Sequence, residues 1–101
     1  MPTKITLIFD NPADPSAFET VYPEIAELAR QLPDLRRVEE AKVWPKEDGT
    51  LTPAHRTLDL YFDSYEAASA AVASPIAGAF FERVLSTGTP FTGLFSDIKT
   101  D

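Results

Sequence analysis

A chain of 101 residues with nine Lys plus Arg against sixteen Asp plus Glu has a formal net charge of −7, which repels a phosphate backbone and makes nucleic acid and anionic membrane surfaces poor partners. The absence of cysteine excludes disulfides, zinc thiolates, iron–sulfur clusters and a cysteine nucleophile. Residues 1–101 are read as one domain burying roughly 65% of the unfolded chain's surface; with no signal-peptide pattern and no run near the roughly 20 apolar residues of a membrane span, the expected location is the cytoplasm.

Lys4 to Phe9 is rich in β-branched and aromatic residues and stops at Asp10-Asn11-Pro12, the punctuation that follows a strand. Ile5, Leu7 and Phe9 make an apolar face, and Thr6 and Ile8 a mixed one. Asp14-Pro15 is an N-cap with proline at the first helical position. Phe18, Val21, Ile25, Leu28 and Leu32 then recur at helical spacing, with Glu19, Glu24, Glu27 and Arg30 assigned to the wet side. Pro23 is expected to bend or interrupt this helix and to expose backbone near Tyr22.

Leu35 to Trp44 has the polarity of an edge strand, and Pro45 to Pro53 is the longest loop. Arg56 to Phe62 is the clearest strand, with Leu58, Leu60 and Phe62 on one face and Thr57, Asp59 and Tyr61 on the other. Asp63-Ser64-Tyr65-Glu66 reads as a capping box with Asp63 as the cap, so the strand meets a helix without a loop. Small residues fill that helix, Ser74-Pro75 opens a second helical piece through Ile76, Phe80, Phe81 and Val84, and Phe91 to Lys99 supplies a last strand. The order is β-α-β-β-α-β: an α+β, ferredoxin-like subunit with an antiparallel sheet.

The capped Phe62-Asp63-Ser64-Tyr65-Glu66-Ala67-Ala68 junction, the downstream Ala73-Ser74-Pro75 and the earlier Leu28 to Arg37 segment together resemble the EthD-like family of dimeric α+β barrel proteins, over nearly the whole chain. The resemblance implies a homodimer in which two sheets join and enclose a barrel. Thr6, Asp59 and Tyr61 would then line an interior, and the activity implied is a cofactor-independent oxidation or related proton transfer on a hydrophobic or aromatic small molecule. Two departures stand out. Family members often carry Tyr, His and Pro before the Leu-Ala-Arg stretch, where this chain reads Tyr22-Pro23-Glu24 without histidine; they also often carry an Asp where this chain has Thr87.

His55, the single histidine, is a candidate for proton transfer at the barrel mouth, because imidazole titrates near neutral pH; the alternative is a loop-edge histidine without a role. Asp59 is the second candidate base, with Tyr61 orienting a carbonyl or phenol; alternatively both belong to an interior hydrogen-bond network or to a salt bridge with Arg36 or Arg37. Tyr22, Phe18 and Trp44 offer an aromatic wall, against readings of Phe18 as plain core and Trp44 as a dimer seal. The expected substrate contacts are Thr6, Tyr22, Trp44 and Tyr61. No phosphate loop, nucleophile elbow or spaced ligand set is present, and neither metal nor cofactor is expected. A noncatalytic binding or accessory protein is the other functional reading.

Overall fold

The computed structural model describes residues 1–100. Seven elements follow in chain order: β1 (Thr3–Phe9), α1 (Pro15–Arg30), β2 (Arg37–Lys42), β3 (Arg56–Phe62), α2 (Tyr65–Val72), α3 (Pro75–Ser86) and β4 (Phe91–Asp97). The sheet order is β2-β3-β1-β4, and each neighbouring pair is antiparallel. This is the ferredoxin-like arrangement that the element order predicts, with the second helix broken at Ser74-Pro75 as expected.

Period-2 alternation gives the sheet two different sides. Thr3, Ile5, Leu7 and Phe9 of β1 are buried, as are Leu58, Leu60 and Phe62 of β3. The helices cover this side, and Phe18, Tyr22, Ile25, Ala26 and Ala29 of α1 complete the core with Ala68, Ala71, Ala77, Phe80 and Val84. The other side bears Lys4, Thr6 and Ile8 beside Thr57, Asp59 and Tyr61, and no helix lies over it. One helical layer on one sheet gives a slab with its shortest dimension 16 Å.

Three local expectations are corrected. Pro23 does not interrupt α1, which runs unbroken from Pro15 to Arg30. Pro23 sits on the exposed face, and burial of Phe18, Tyr22 and Ile25 on the opposite face offsets the one missing backbone bond. The cap of α2 is Ser64, whose Oγ accepts from the Ala67 amide at 3.1 Å; Asp63 instead accepts from Arg36 at 2.7 and 3.0 Å. Finally, neither Arg36 nor Arg37 reaches Asp59. Arg36 is drawn to Asp63, and Arg37 pairs with Glu39 at 3.2 Å and lies 4.3 Å over the Tyr61 ring.

Candidate functional site

The residues singled out from sequence fall into two groups separated by the sheet. On the uncovered side, Thr6 and Asp59 are direct cross-strand partners, and the Thr6 hydroxyl donates to the Asp59 carboxylate. Lys4 Nζ stands 3.7 Å from the same carboxylate. One strand further out, the Tyr61 hydroxyl donates to Glu39. Thr6, Asp59 and Tyr61 therefore share one face, as their alternation requires.

On the covered side, Arg56 occupies the inward register of β3 ahead of Leu58 and Leu60, so its guanidinium needs an anion within the packed layer. Glu19 of α1 supplies it: Arg56 Nε donates to Oε2 at 2.8 Å and Nη2 to Oε1 at 2.7 Å. This two-pronged geometry is the strong form of the Arg–carboxylate pair. His55 Nε2 lies 3.3 Å from Glu19 Oε2, and the edge of its ring meets Phe18 with centroids 5.5 Å apart. Lys42 Nζ is 3.7 Å from Glu19 Oε1. The Arg56 bonds hold the Glu19 carboxyl down at about 2; burial opposes that shift, and His55 adds to it.

Tyr22 lies beneath this group, 3% exposed, its ring stacked on Phe18 and capped by the Arg56 guanidinium at 4.2 Å. Its hydroxyl is buried without a hydrogen bond of good geometry. Burial and the neighbouring Glu40 carboxylate push its pKa well above the ordinary phenol value. Burial also works to raise Glu40, but Arg30 and Tyr22 outweigh it, so its pKa is lowered.

A cleft of about 290 Å³ opens beside this cluster, with His55, Lys42, Val43, Pro15, Pro45 and Leu51 among its walls. His55 and Lys42 both line the cleft and approach the Glu19 carboxylate, His55 at 3.3 Å and Lys42 at 3.7 Å. The Nε2 of His55 faces Glu19, and its Nδ1 makes no hydrogen bond among the described residues. In the tautomer that donates from Nε2, Nδ1 keeps a lone pair for a proton.

Tyr22 and His55 thus do not join Asp59 and Tyr61 in one cavity within a subunit. Nor does Tyr22 form an aromatic wall with Trp44, which stands 85% exposed on the loop after β2. Sequence reasoning also missed Glu19, placed on the wet side although it lies one turn before Tyr22, and Arg56, whose register with Leu58 already pointed it inward. Among the described residues no group of three His, Asp or Glu side chains is placed to hold a metal ion, and no helix is long and apolar enough to cross a membrane.

No family model matches the chain. It is 34% identical to an uncharacterized 11.0 kDa protein from the thcB-thcC intergenic region of Rhodococcus erythropolis, over 96% of this chain and 95% of that one. An EthD family protein of Bacillus halodurans superposes with a TM-score of 0.89 at 21% identity, covering 98% of this chain and 100% of that chain. A variant of SnoaB, a cofactor-independent oxygenase from Streptomyces nogalater, gives 0.72 at 14% identity over 99% and 95%. A dimeric ferredoxin-like protein of Thermobifida fusca gives 0.73 at 14% over 97% and 92%. With a relative 34% identical over nearly its whole length, the chain belongs to one family with the Rhodococcus protein, and it has the fold of the EthD family protein.

Proposed function

We propose that this protein is a homodimeric enzyme that removes a proton from a small hydrophobic or aromatic molecule without a cofactor, with His55 as the base. The observation that carries the reading is the His55–Glu19 pair at the wall of an apolar cleft. A base needs a free lone pair within reach of substrate and a partner that steadies it once charged. Nδ1 would take a proton from a phenol or an enolisable carbon, and the resulting imidazolium would keep its Nε2–H on the Glu19 carboxylate. Arg56 fixes that carboxylate in place and shares its charge, so Glu19 orients the ring more than it strengthens it as a base. The deprotonated product is the common first intermediate whether oxygenation follows, as the name of SnoaB states for that protein, or reprotonation at another atom.

Homodimerisation is part of the reading. Relatives of this fold are described as dimeric, and the helix-free side of the sheet gives a second copy a surface to cover. A second site has its own support there: Asp59, with Thr6 bonded to it and Tyr61 on the same face, is the alternative base inside the enclosed barrel.

Proton exchange in D2O, followed by NMR over a panel of phenols and enolisable aromatic ketones, separates these readings. The expected result is protein-catalysed exchange that falls about 100-fold or more in His55→Ala and persists in Asp59→Asn. The reverse pattern would move the site into the barrel. A compound that binds and neither exchanges nor changes chemically would identify a binding or accessory protein.

A further inference from the structure

A second hollow, of about 340 Å³, is formed by Lys42, Val43, Trp44 and Pro45. It shares Lys42, Val43 and Pro45 with the cleft beside His55, so Lys42 lines both the hollow that holds Trp44 and the cleft that holds His55. Trp44 is the single tryptophan of the chain and is 85% exposed; Leu51, across the same loop, is 70% exposed. The core does not use either side chain.

The charge of this surface differs from that of the chain. Against a net charge of −7, Lys42 and Arg56 share the single carboxylate of Glu19, two cations to one anion, which leaves one positive charge in excess. Lys42 is where that excess is available. Arg56 saturates Glu19 with two short bonds and Arg30 takes Glu40, whereas Lys42 holds only a 3.7 Å contact to Glu19 with its side chain 63% exposed.

Resting on the proton-transfer reading above, we propose that the ligand of this site is an aromatic acid, its ring on Trp44 and its carboxylate on Lys42, which brings the remainder of the molecule to His55. An exposed indole offers a flat apolar face, proline and valine flank it, and a lysine at the shared wall selects a negative end. The hollows lie at the small end of the range for ligand sites, about 300–1,000 Å³, which suits one or two rings.

Trp44 is a built-in reporter. Titrating the full-length protein with 1-naphthoate and with benzoate should give a saturable change in tryptophan emission with a dissociation constant of about 1 mM or tighter, and benzamide, which lacks the charge, should bind at least about 5-fold more weakly. By calorimetry, Lys42→Met should weaken naphthoate about 5- to 10-fold, and Trp44→Leu should weaken it while leaving the fold intact by circular dichroism. Equal binding of benzoate and benzamide, or unchanged affinity in both variants, would overturn the proposal. So would an emission change that follows protein dilution and ignores the acids, because Trp44 would then be a contact between copies. His55→Ala keeps the two readings apart: loss of exchange chemistry with naphthoate binding retained supports both, whereas unaltered exchange removes the base and leaves the acid-binding surface standing.

Discussion

The two polar clusters of this chain are built from similar parts and lie on opposite sides of the sheet. On the covered side, Glu19 receives two short guanidinium bonds and lies within reach of a histidine, among Phe18 and Tyr22. On the uncovered side, Asp59 receives one hydroxyl and a lysine 3.7 Å away, on a face without helices. The covered cluster is required by the fold, because an inward-facing arginine cannot be left unpaired; the uncovered one is free of that demand in a single subunit. The difference teaches where chemistry is preorganised. A carboxylate fixed on both oxygens can hold a histidine ring in one orientation, whereas Asp59 is held through one oxygen only, by Thr6 and Lys4.

The sharpest break between the sides is on β3 itself, where neighbours face opposite ways. Leu58 is fully buried against the helices and Thr57 is half-buried on the other face. Leu58→Ala should cost about 2–5 kcal/mol in urea unfolding, and Thr57→Ala about 0.5 kcal/mol or less. Comparable losses at the two positions would show that both faces are equally packed in solution, and so that a second copy covers the open face tightly.

Arg56→Met comes next in size, because it strips the covered cluster of its cation and keeps its bulk. The folded Glu19 carboxyl is held at about 2 against 4.5, chiefly by the Arg56 bonds. A depressed carboxyl contributes stability that is fully present above pH 4.5 and lost as the pH falls toward 2. The contribution is about 2 kcal/mol, less than the whole shift implies because the pair is partly solvated. Unfolding measured between pH 2 and 6 should show the wild-type curve falling through this window, and the Arg56→Met curve lower at neutral pH and flatter across it. Parallel curves would remove Glu19 as the source of the acid limb.

The fold was legible because each element carries redundant signals. The alternation of Arg56 to Phe62 marks strand and faces alike, and Asp14-Pro15 and Ser74-Pro75 each state a cap and a first turn. The site was legible in part. His55, Asp59, Tyr61 and Thr6 stand out by residue type and register, but His55 lies ahead of β3, where alternation no longer fixes a side, and it turns toward α1. Glu19 was hidden because a glutamate on an amphipathic helix ordinarily belongs to the solvated face. Only its position a turn before a buried tyrosine, together with an arginine in the inward register of a distant strand, marks it as an internal partner. That is a tertiary relation, and no local pattern contains it.

The capping assignment shows the same contrast on a smaller scale, since two oxygens compete at one junction and only one reaches the helix. Ser64→Ala should cost about 1 kcal/mol, because the Ala67 amide loses its acceptor. Asp63→Ala should leave stability unchanged, because its bonds to Arg36 lie in solvent. A larger loss at Asp63 than at Ser64 would restore the capping box read from the sequence.

Asp59→Asn is the smallest expected effect and the one that tests the uncovered face directly. Asparagine keeps an oxygen to accept the Thr6 hydroxyl and gives up only the attraction of Lys4, a partly exposed pair of the kind worth about 0–1 kcal/mol. For an isolated subunit the unfolding midpoint should hardly move. In a homodimer joined through this face the same carboxylate is enclosed, and its stability becomes linked to protein concentration. The midpoint should then shift between dilute and concentrated samples, and the variant should alter the size of that shift. A concentration-independent midpoint in both proteins would return Asp59 to an ordinary surface network and leave the histidine cleft as the one candidate for chemistry.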